Sequence, residues 1–174
     1  LSTDNTVPRD FSAHYDRAAQ GEVVDYFIIM GYDEHYVGSE PGSVASLGFE
    51  REGIELTIEE GVPADKIISG VPFYTRLWMT SESGEVTSEA IGMNQADETQ
   101  EANGVTSNWS EETSQDYAEY YDSEGNFYQI WLENENSLAE KAKLVPEYQL
   151  AGIAAWKLGF ERSSIWEILS SNIS

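Results

Sequence analysis

Val23 to Tyr36 reads V-V-D-Y-F-I-I-M-G-Y-D-E-H-Y. Its first part is a nearly continuous apolar run, Val23, Val24, Tyr26, Phe27, Ile28, Ile29 and Met30, rich in β-branched and aromatic side chains. A run of that kind predicts a strand over 23–30 buried on both faces, the habit of parallel sheets covered by helices. The chain then turns polar at Tyr32, Asp33, Glu34 and His35. A parallel strand ending in Tyr-Asp-Glu brings polar side chains to the carboxyl rim of a sheet. That rim is where α/β folds bind their ligands.

The flanking sequence extends this reading. Upstream, Phe11, Tyr15 and Ala18 recur at helical spacing, so Asp10 to Gln20 predicts a short helix ended by Gly21. Downstream, Glu40-Pro41-Gly42-Ser43 marks a turn and Ser46 offers an N-cap. Leu47, Ile54 and Ile58 then share one helix face, with Glu50, Arg51, Glu55 and Glu59 toward the other. Gly61 stops that helix, with Pro63 just beyond. Lys66 to Phe73 predicts the next buried strand. Strand, helix and strand at this spacing form a βαβ unit with parallel strands and a right-handed crossover.

From Thr80 to Asn126 the sequence becomes polar and acidic, broken by a cluster at Tyr117, Tyr120 and Tyr121. A structureless segment of that length is uncommon inside a compact domain. Phe127 to Leu132 is strand-like and would close it. Ser137-Leu138-Ala139-Glu140 has the form of a capping box, and Pro146 should kink or shorten the helix it starts. Ala151 to Trp156 predicts the last buried strand. Ser164-Ile165-Trp166-Glu167 repeats the capping-box pattern ahead of a final helix. The alternation yields about three and a half to four βα units, where a closed (β/α)8 barrel needs eight.

Composition narrows the function. The 174 residues carry 32 acidic and 9 basic side chains, a formal charge of −23, and 40% are hydrophobic. This is globular chemistry with a surface that repels phosphate backbones and anionic lipids, so nucleic acid is not an expected partner. There is no cysteine, which removes disulfides, thiolate nucleophiles and zinc–thiolate sites. His14 and His35 lack metal-ligand spacing. No apolar run reaches the length of a membrane span. No cofactor or metal is expected. Asn108-Trp109-Ser110 fits an N-glycosylation pattern, to which we assign no role.

Three segments carry a family resemblance. M-G-Y-D (Met30 to Asp33) is similar to the M-x-Y-D signature that ends the sixth barrel strand in glycoside hydrolase family 18, the chitinase-like enzymes. Its continuation, D-E-H-Y-V-G-S-E-P-G-S-V-A-S-L, resembles the branch containing spore-cortex N-acetylglucosaminidases. G-V-P-F-Y-T-R-L-W (Gly70 to Trp78) and A-G-I-A-A-W-K-L-G-F (Ala151 to Phe160) resemble the seventh and eighth strands. Leu1 to Arg9 resembles the fifth strand and its loop. The resemblance implies half of a (β/α)8 TIM barrel, strands five to eight, with a small α+β insertion. Residues 1–79 would hold strands five to seven, 80–127 the insertion, and 128–174 the last part of the barrel.

The resemblance also implies a chemistry. In this family the N-acetyl carbonyl of the substrate attacks its own anomeric carbon while a glutamic acid protonates the leaving oxygen. That acid lies in D-x-x-D-x-E. No aspartate of this chain is followed by another three residues later, so the motif is absent. What the resemblance does place here is a substrate-binding wall. Tyr32 would hold the N-acetyl carbonyl and Asp33 the sugar's polar groups. Met30 would pack beneath the acetamide, Arg76 of F-Y-T-R would reach a hydroxyl, and Trp156 would stack on the sugar. Trp131 and Glu133 are candidates for an outer subsite. As residues alone they read otherwise: a tyrosine at a strand end serves as a core aromatic, an aspartate after it as a turn cap, and W-L-E as packing and a cap.

The sequence therefore predicts part of a hydrolase acting on β-linked N-acetylglucosamine polymers, chitin or peptidoglycan. Alone it would lack the general acid, need the amino-terminal half of the barrel as partner, and self-associate. By resemblance its location would be extracellular, at the cell wall or spore. The alternatives are a non-catalytic carbohydrate-binding module and an acidic calcium-binding structural domain. The second lacks a D-x-[DN]-x-[DN]-G loop.

Overall fold

The computed structural model describes residues 15–173. The strand expected near Leu1 to Arg9 and the start of the first helix lie outside them. The described strands form two sheets. One is parallel and three-stranded: β1 (Phe27–Met30), β2 (Ile67–Pro72) and β8 (Gly152–Trp156), in the order β1-β2-β8. The other is antiparallel and five-stranded: β3 (Tyr74–Thr80), β4 (Val86–Gly92), β5 (Asn108–Ser110), β6 (Gln115–Tyr121) and β7 (Phe127–Leu132), in the order β4-β3-β7-β6-β5. The second sheet starts at Tyr74 and ends at Leu132, with only Phe73 between it and β2. The segment 80–126 is thus ordered: it supplies β4, β5, β6 and one helix, α3 (Met93–Asn103).

The remaining helices cover one face of the parallel sheet. Helix α1 (Arg17–Val23) precedes β1, and α2 (Leu47–Glu59) joins β1 to β2. Helices α4 (Glu135–Ala142) and α5 (Leu144–Tyr148) lead into β8, and α6 (Ile165–Asn172) follows it. Ile29, Ile67 and Val71 alternate with residues of the opposite face and pack with Ile54, Val62, Leu144, Val145, Leu138 and Ile165. Each such side chain contributes roughly 1.5–3 kcal/mol by leaving water. Gly70 is required by close approach: a Cβ there would lie 2.5 Å from the Ile29 carbonyl oxygen of the neighbouring strand.

The structure corrects several expectations. Strand 23–30 is not buried on both faces: β1 is shorter, and Ile28 and Met30 are 59% and 60% exposed. The apolar run is right for a strand with two covered faces, but among the described residues helices cover only one. The last strand is likewise half-covered, and Trp156 is 55% exposed. Gly21 lies inside α1 rather than ending it, and a Cβ there would stand 3.3 Å from Pro63 Cδ and from Val62 Cα. Glu50 does not face solvent; it is fully buried beside Lys141. The fourth helix starts earlier than Ser137. Asn134 is its N-cap and Ser137 its third residue, each side chain bonding the other's backbone N–H. At α6 the Ser164 hydroxyl donates to Glu135 instead of capping.

Other local readings hold. Ser46 caps α2 through the Phe49 N–H, and Gly61 leaves it at φ +100°. Pro146 lacks the N–H that would bond back to Ala142, and the helix breaks into α4 and α5 there.

Candidate functional site

The carboxyl ends of β1, β2 and β8 converge on one rim. In the parallel register Met30 pairs with Gly70, Gly70 with Ala154, and Pro72 with Trp156. Paired residues share a face, as do residues two apart. Met30 and Trp156 therefore lie on the same face of the sheet, the one that no helix of the described residues covers. The Phe73 N–H bonds the Trp156 carbonyl at 2.7 Å, and the peptide after Trp156 is cis.

Beyond Met30 the chain leaves the sheet, but the Gly31 N–H still bonds the Gly70 carbonyl at 2.8 Å. Asp33 adopts φ +63°, the left-handed region that Asp tolerates better than most residues. Tyr74, the first residue of β3, donates its hydroxyl to Asp33 Oδ1 at 2.5 Å. Its ring meets Tyr32 edge to face, with centroids 6.3 Å apart. Burial pushes the Tyr74 phenol far above its ordinary value, and donation to Asp33 adds to the shift. Burial, then the Asp33 charge, raises Tyr32 as well. Both hydroxyls thus stay protonated as donors at neutral pH.

The rim beyond Asp33 is pinned to neighbouring elements. Glu34 accepts the Ser46 N–H at 2.7 Å and the Ser46 hydroxyl at 3.1 Å. The Trp78 indole N–H bonds the Gly42 carbonyl at 2.8 Å, tying the β1–α2 loop to the antiparallel sheet. Arg76 shares its face of β3 with Tyr74; its Nη1 bonds Ser88 Oγ at 3.1 Å, while its buried Nε has no partner. Trp131 borders a cavity of about 370 Å³ with Glu34, His35, Ser43 and Glu112.

Of the residues singled out from sequence, the structure brings Tyr32 and Asp33 together through Tyr74. It puts Met30 and Trp156 on one sheet face and Arg76 on the Tyr74 side of β3. Glu133 stands apart, fully buried and bonded to Lys141, Ser137 and Gln115. Tyr74 escaped the sequence reading because a tyrosine after Val-Pro-Phe looks like core. Its place in F-Y-T-R was the one available signal. Among the described residues no group of three His, Asp or Glu side chains forms a metal site, and no helix is long and apolar enough to cross a membrane.

Comparison with known proteins agrees with this architecture. The family described as glycosyl hydrolases family 18 matches residues 4–161. The cortical fragment-lytic enzyme of Bacillus subtilis (strain 168) is 30% identical over 167 residues, covering 95% of this chain and 38% of that protein. The crystal structure of the Bacillus megaterium QM B1551 spore cortex-lytic enzyme SleL superposes with a TM-score of 0.81 at 27% identity, over 92% of this chain and 36% of that one. A chitinase from Chromobacterium violaceum ATCC 12472 superposes with a TM-score of 0.83 at 28% identity, over 92% and 49%. The chain thus spans half or less of the length of these relatives. It belongs to glycosyl hydrolases family 18, with chitinase-like and spore-cortex-lytic proteins among its relatives.

Proposed function

We propose that this chain is the carboxyl-terminal part of a family 18 barrel, strands five to eight, contributing the wall that binds β-linked N-acetylglucosamine polymers. One observation carries the reading: the helix-free face of β1-β2-β8 leaves Ile28, Met30 and Trp156 open, beside a rim of Tyr32, Asp33 and Tyr74. An apolar sheet face of this kind fits the inside of a barrel whose other strands are supplied by the rest of the protein. The barrel part would comprise residues 1–79 and 128–174, and 80–127 the insertion.

On this reading the parent enzyme hydrolyses chitin or peptidoglycan with retention, the substrate's acetamide acting as nucleophile. Tyr32 donates to the acetamide oxygen and aligns it. Asp33, already accepting from Tyr74, bonds a further polar group of the sugar. Met30 supports the acetyl methyl, Trp156 the pyranose face, and Arg76 a hydroxyl. Trp131 borders an outer subsite. Relatives named for the spore cortex favour peptidoglycan and a spore or cell-wall location.

With one wall of the cleft, the chain should bind N-acetylglucosamine oligomers at millimolar affinity, roughly 4 kcal/mol. Trp156→Ala should abolish that binding in a calorimetric or NMR titration. Micromolar affinity would favour a carbohydrate-binding module instead.

The same exposed face predicts self-association of the isolated chain. β8 is an edge strand of the parallel sheet among the described residues and has no charge before Lys157, so it lacks edge protection. Burying it against a second copy covers the face. The charge of −23 opposes approach, and salt screens it over a Debye length of about 10 Å at 0.1 M. Sedimentation should show dimers or larger species that strengthen from low to moderate salt. A monomer throughout would overturn the open-face picture.

A further inference from the structure

Behind the rim lies a second polar cluster that touches no open surface. Glu50 of α2, Glu133 after β7 and Lys141 of α4 have fully buried side chains. Lys141 Nζ lies 2.5 Å from Glu133 Oε1 and 3.1 Å from Glu50 Oε1. Glu133 also accepts from the Ser137 hydroxyl at 2.9 Å and the Gln115 amide at 2.7 Å. Gln115 in turn accepts from the Ser43 hydroxyl of the β1–α2 loop at 2.5 Å. The cluster therefore spans the rim loop, the antiparallel sheet and two helices.

Its charges do not balance. Two carboxylates against one ammonium would leave a net negative charge in a dry interior, which is strongly unfavourable. One carboxyl must keep its proton, and the donors show which. Glu133 has three hydrogen-bond donors and suits the ionised form. Glu50 meets no donor but Lys141, whose ammonium lies closer to Glu133 and is shared with it. Burial pushes Glu50 up to about 8, against the pull of Lys141, and the charges of Glu133 and of Glu34 on the rim push the same way.

Glu50 also lies directly under the rim. A Cβ built on Gly31 would stand 3.2 Å from Glu50 Cγ and 3.7 Å from Cδ. Gly31 is the residue between Met30 and Tyr32. We propose that Glu50, held as a neutral acid beneath Gly31, positions the Tyr32–Asp33 rim. An ionised Glu50 would draw Lys141 away from Glu133 and repel Glu34. Both partners are tied to the rim loop, Glu133 through Gln115 and Ser43 and Glu34 through Ser46, so the rim shifts. Only the consequence for sugar binding rests on the function proposed above.

The test is a pH titration of the whole chain, wild type and Glu50→Gln, by NMR of the glutamate carboxyls and of the Gly31, Tyr32 and Asp33 amides. In the wild type one glutamate should titrate near 8, and the three amides should move with the same midpoint. In Glu50→Gln both signals should vanish. A Glu50 carboxyl titrating in the ordinary carboxylate range overturns the proposal. So do rim amides that stay still while Glu50 ionises, or that still follow that midpoint in Glu50→Gln. The affinity of the wild type for the N-acetylglucosamine tetramer should fall several-fold from pH 6 to 9, and that of Glu50→Gln should stay flat. Equal slopes in the two proteins count against positioning. If the tetramer binds at no pH, the sugar-binding reading falls, while the carboxyl and amide titrations still decide the role of Glu50.

Discussion

Purified alone, the chain should release no sugar from N-acetylglucosamine oligomers or from cortex peptidoglycan. Leaving-group protonation needs a carboxylic acid that reaches the glycosidic oxygen. The family's D-x-x-D-x-E is absent from the sequence, and the rim carboxyls Asp33 and Glu34 are committed elsewhere. Asp33 accepts from Tyr74, and both oxygens of Glu34 accept from Ser46. Glu50 is the one argued to hold a proton, but it is sealed beneath Gly31. Loss of a positioned general acid costs about 10²–10⁴ in rate. The open sheet face costs more, because water reaches the position an oxocarbenium-like transition state would occupy. Rates should stay at the level of a no-enzyme control in a reducing-sugar or fluorogenic assay. Turnover that co-purifies with the chain, and that Tyr32→Phe lowers, would show that the acid lies within these residues.

The βαβ order was legible because each of its signals is local. The strand's end at Met30, the Ser46 cap and Gly61 each rest on signals within a few residues, and all three are where sequence alone puts them, although the strand starts four residues later than its apolar run. Burial was less legible, because it depends on what lies opposite. The run Phe27–Met30 has the composition of a strand covered on both sides, yet among the described residues only one side is covered. The reading of Glu50 as solvent-facing failed for a related reason. Helical periodicity put it among Arg51, Glu55 and Glu59, whereas its burial beside Lys141 depends on a residue far along the chain. Likewise the S-x-x-E pattern at Ser137 pointed to a cap, but Asn134 outcompetes it while the Ser137 hydroxyl also serves Glu133. At the site, Tyr32, Asp33 and Trp156 stood at strand ends and could be picked out. The bond from Tyr74 to Asp33 spans two sheets and could not.

Lys141→Met should destabilise the protein strongly although it leaves almost no cavity. Methionine nearly matches the volume of the lysine stem, so packing is largely kept and the loss is electrostatic. Without the ammonium, Glu50 and Glu133 face each other in a dry interior, and one of them loses its strongest hydrogen bond. Removing one partner of a buried charge pair costs about 3–5 kcal/mol, against a total stability of roughly 5–15 kcal/mol for a domain. The effect has a predictable pH dependence. Burial raises both carboxyls in the native protein, Glu50 to about 8. Groups raised on folding contribute stability that is full below the ordinary carboxylate range and is lost as pH rises through the raised value. Lys141→Met removes the cation that opposes the shift, so its penalty should be largest at pH 8.5 and shrink toward pH 5. Urea denaturation at the two pH values measures the difference. Adding Glu50→Gln and Glu133→Gln to Lys141→Met should restore most of the loss, since no buried charge then remains. A penalty below about 1 kcal/mol at pH 8.5 would mean that the cluster is hydrated or already neutral.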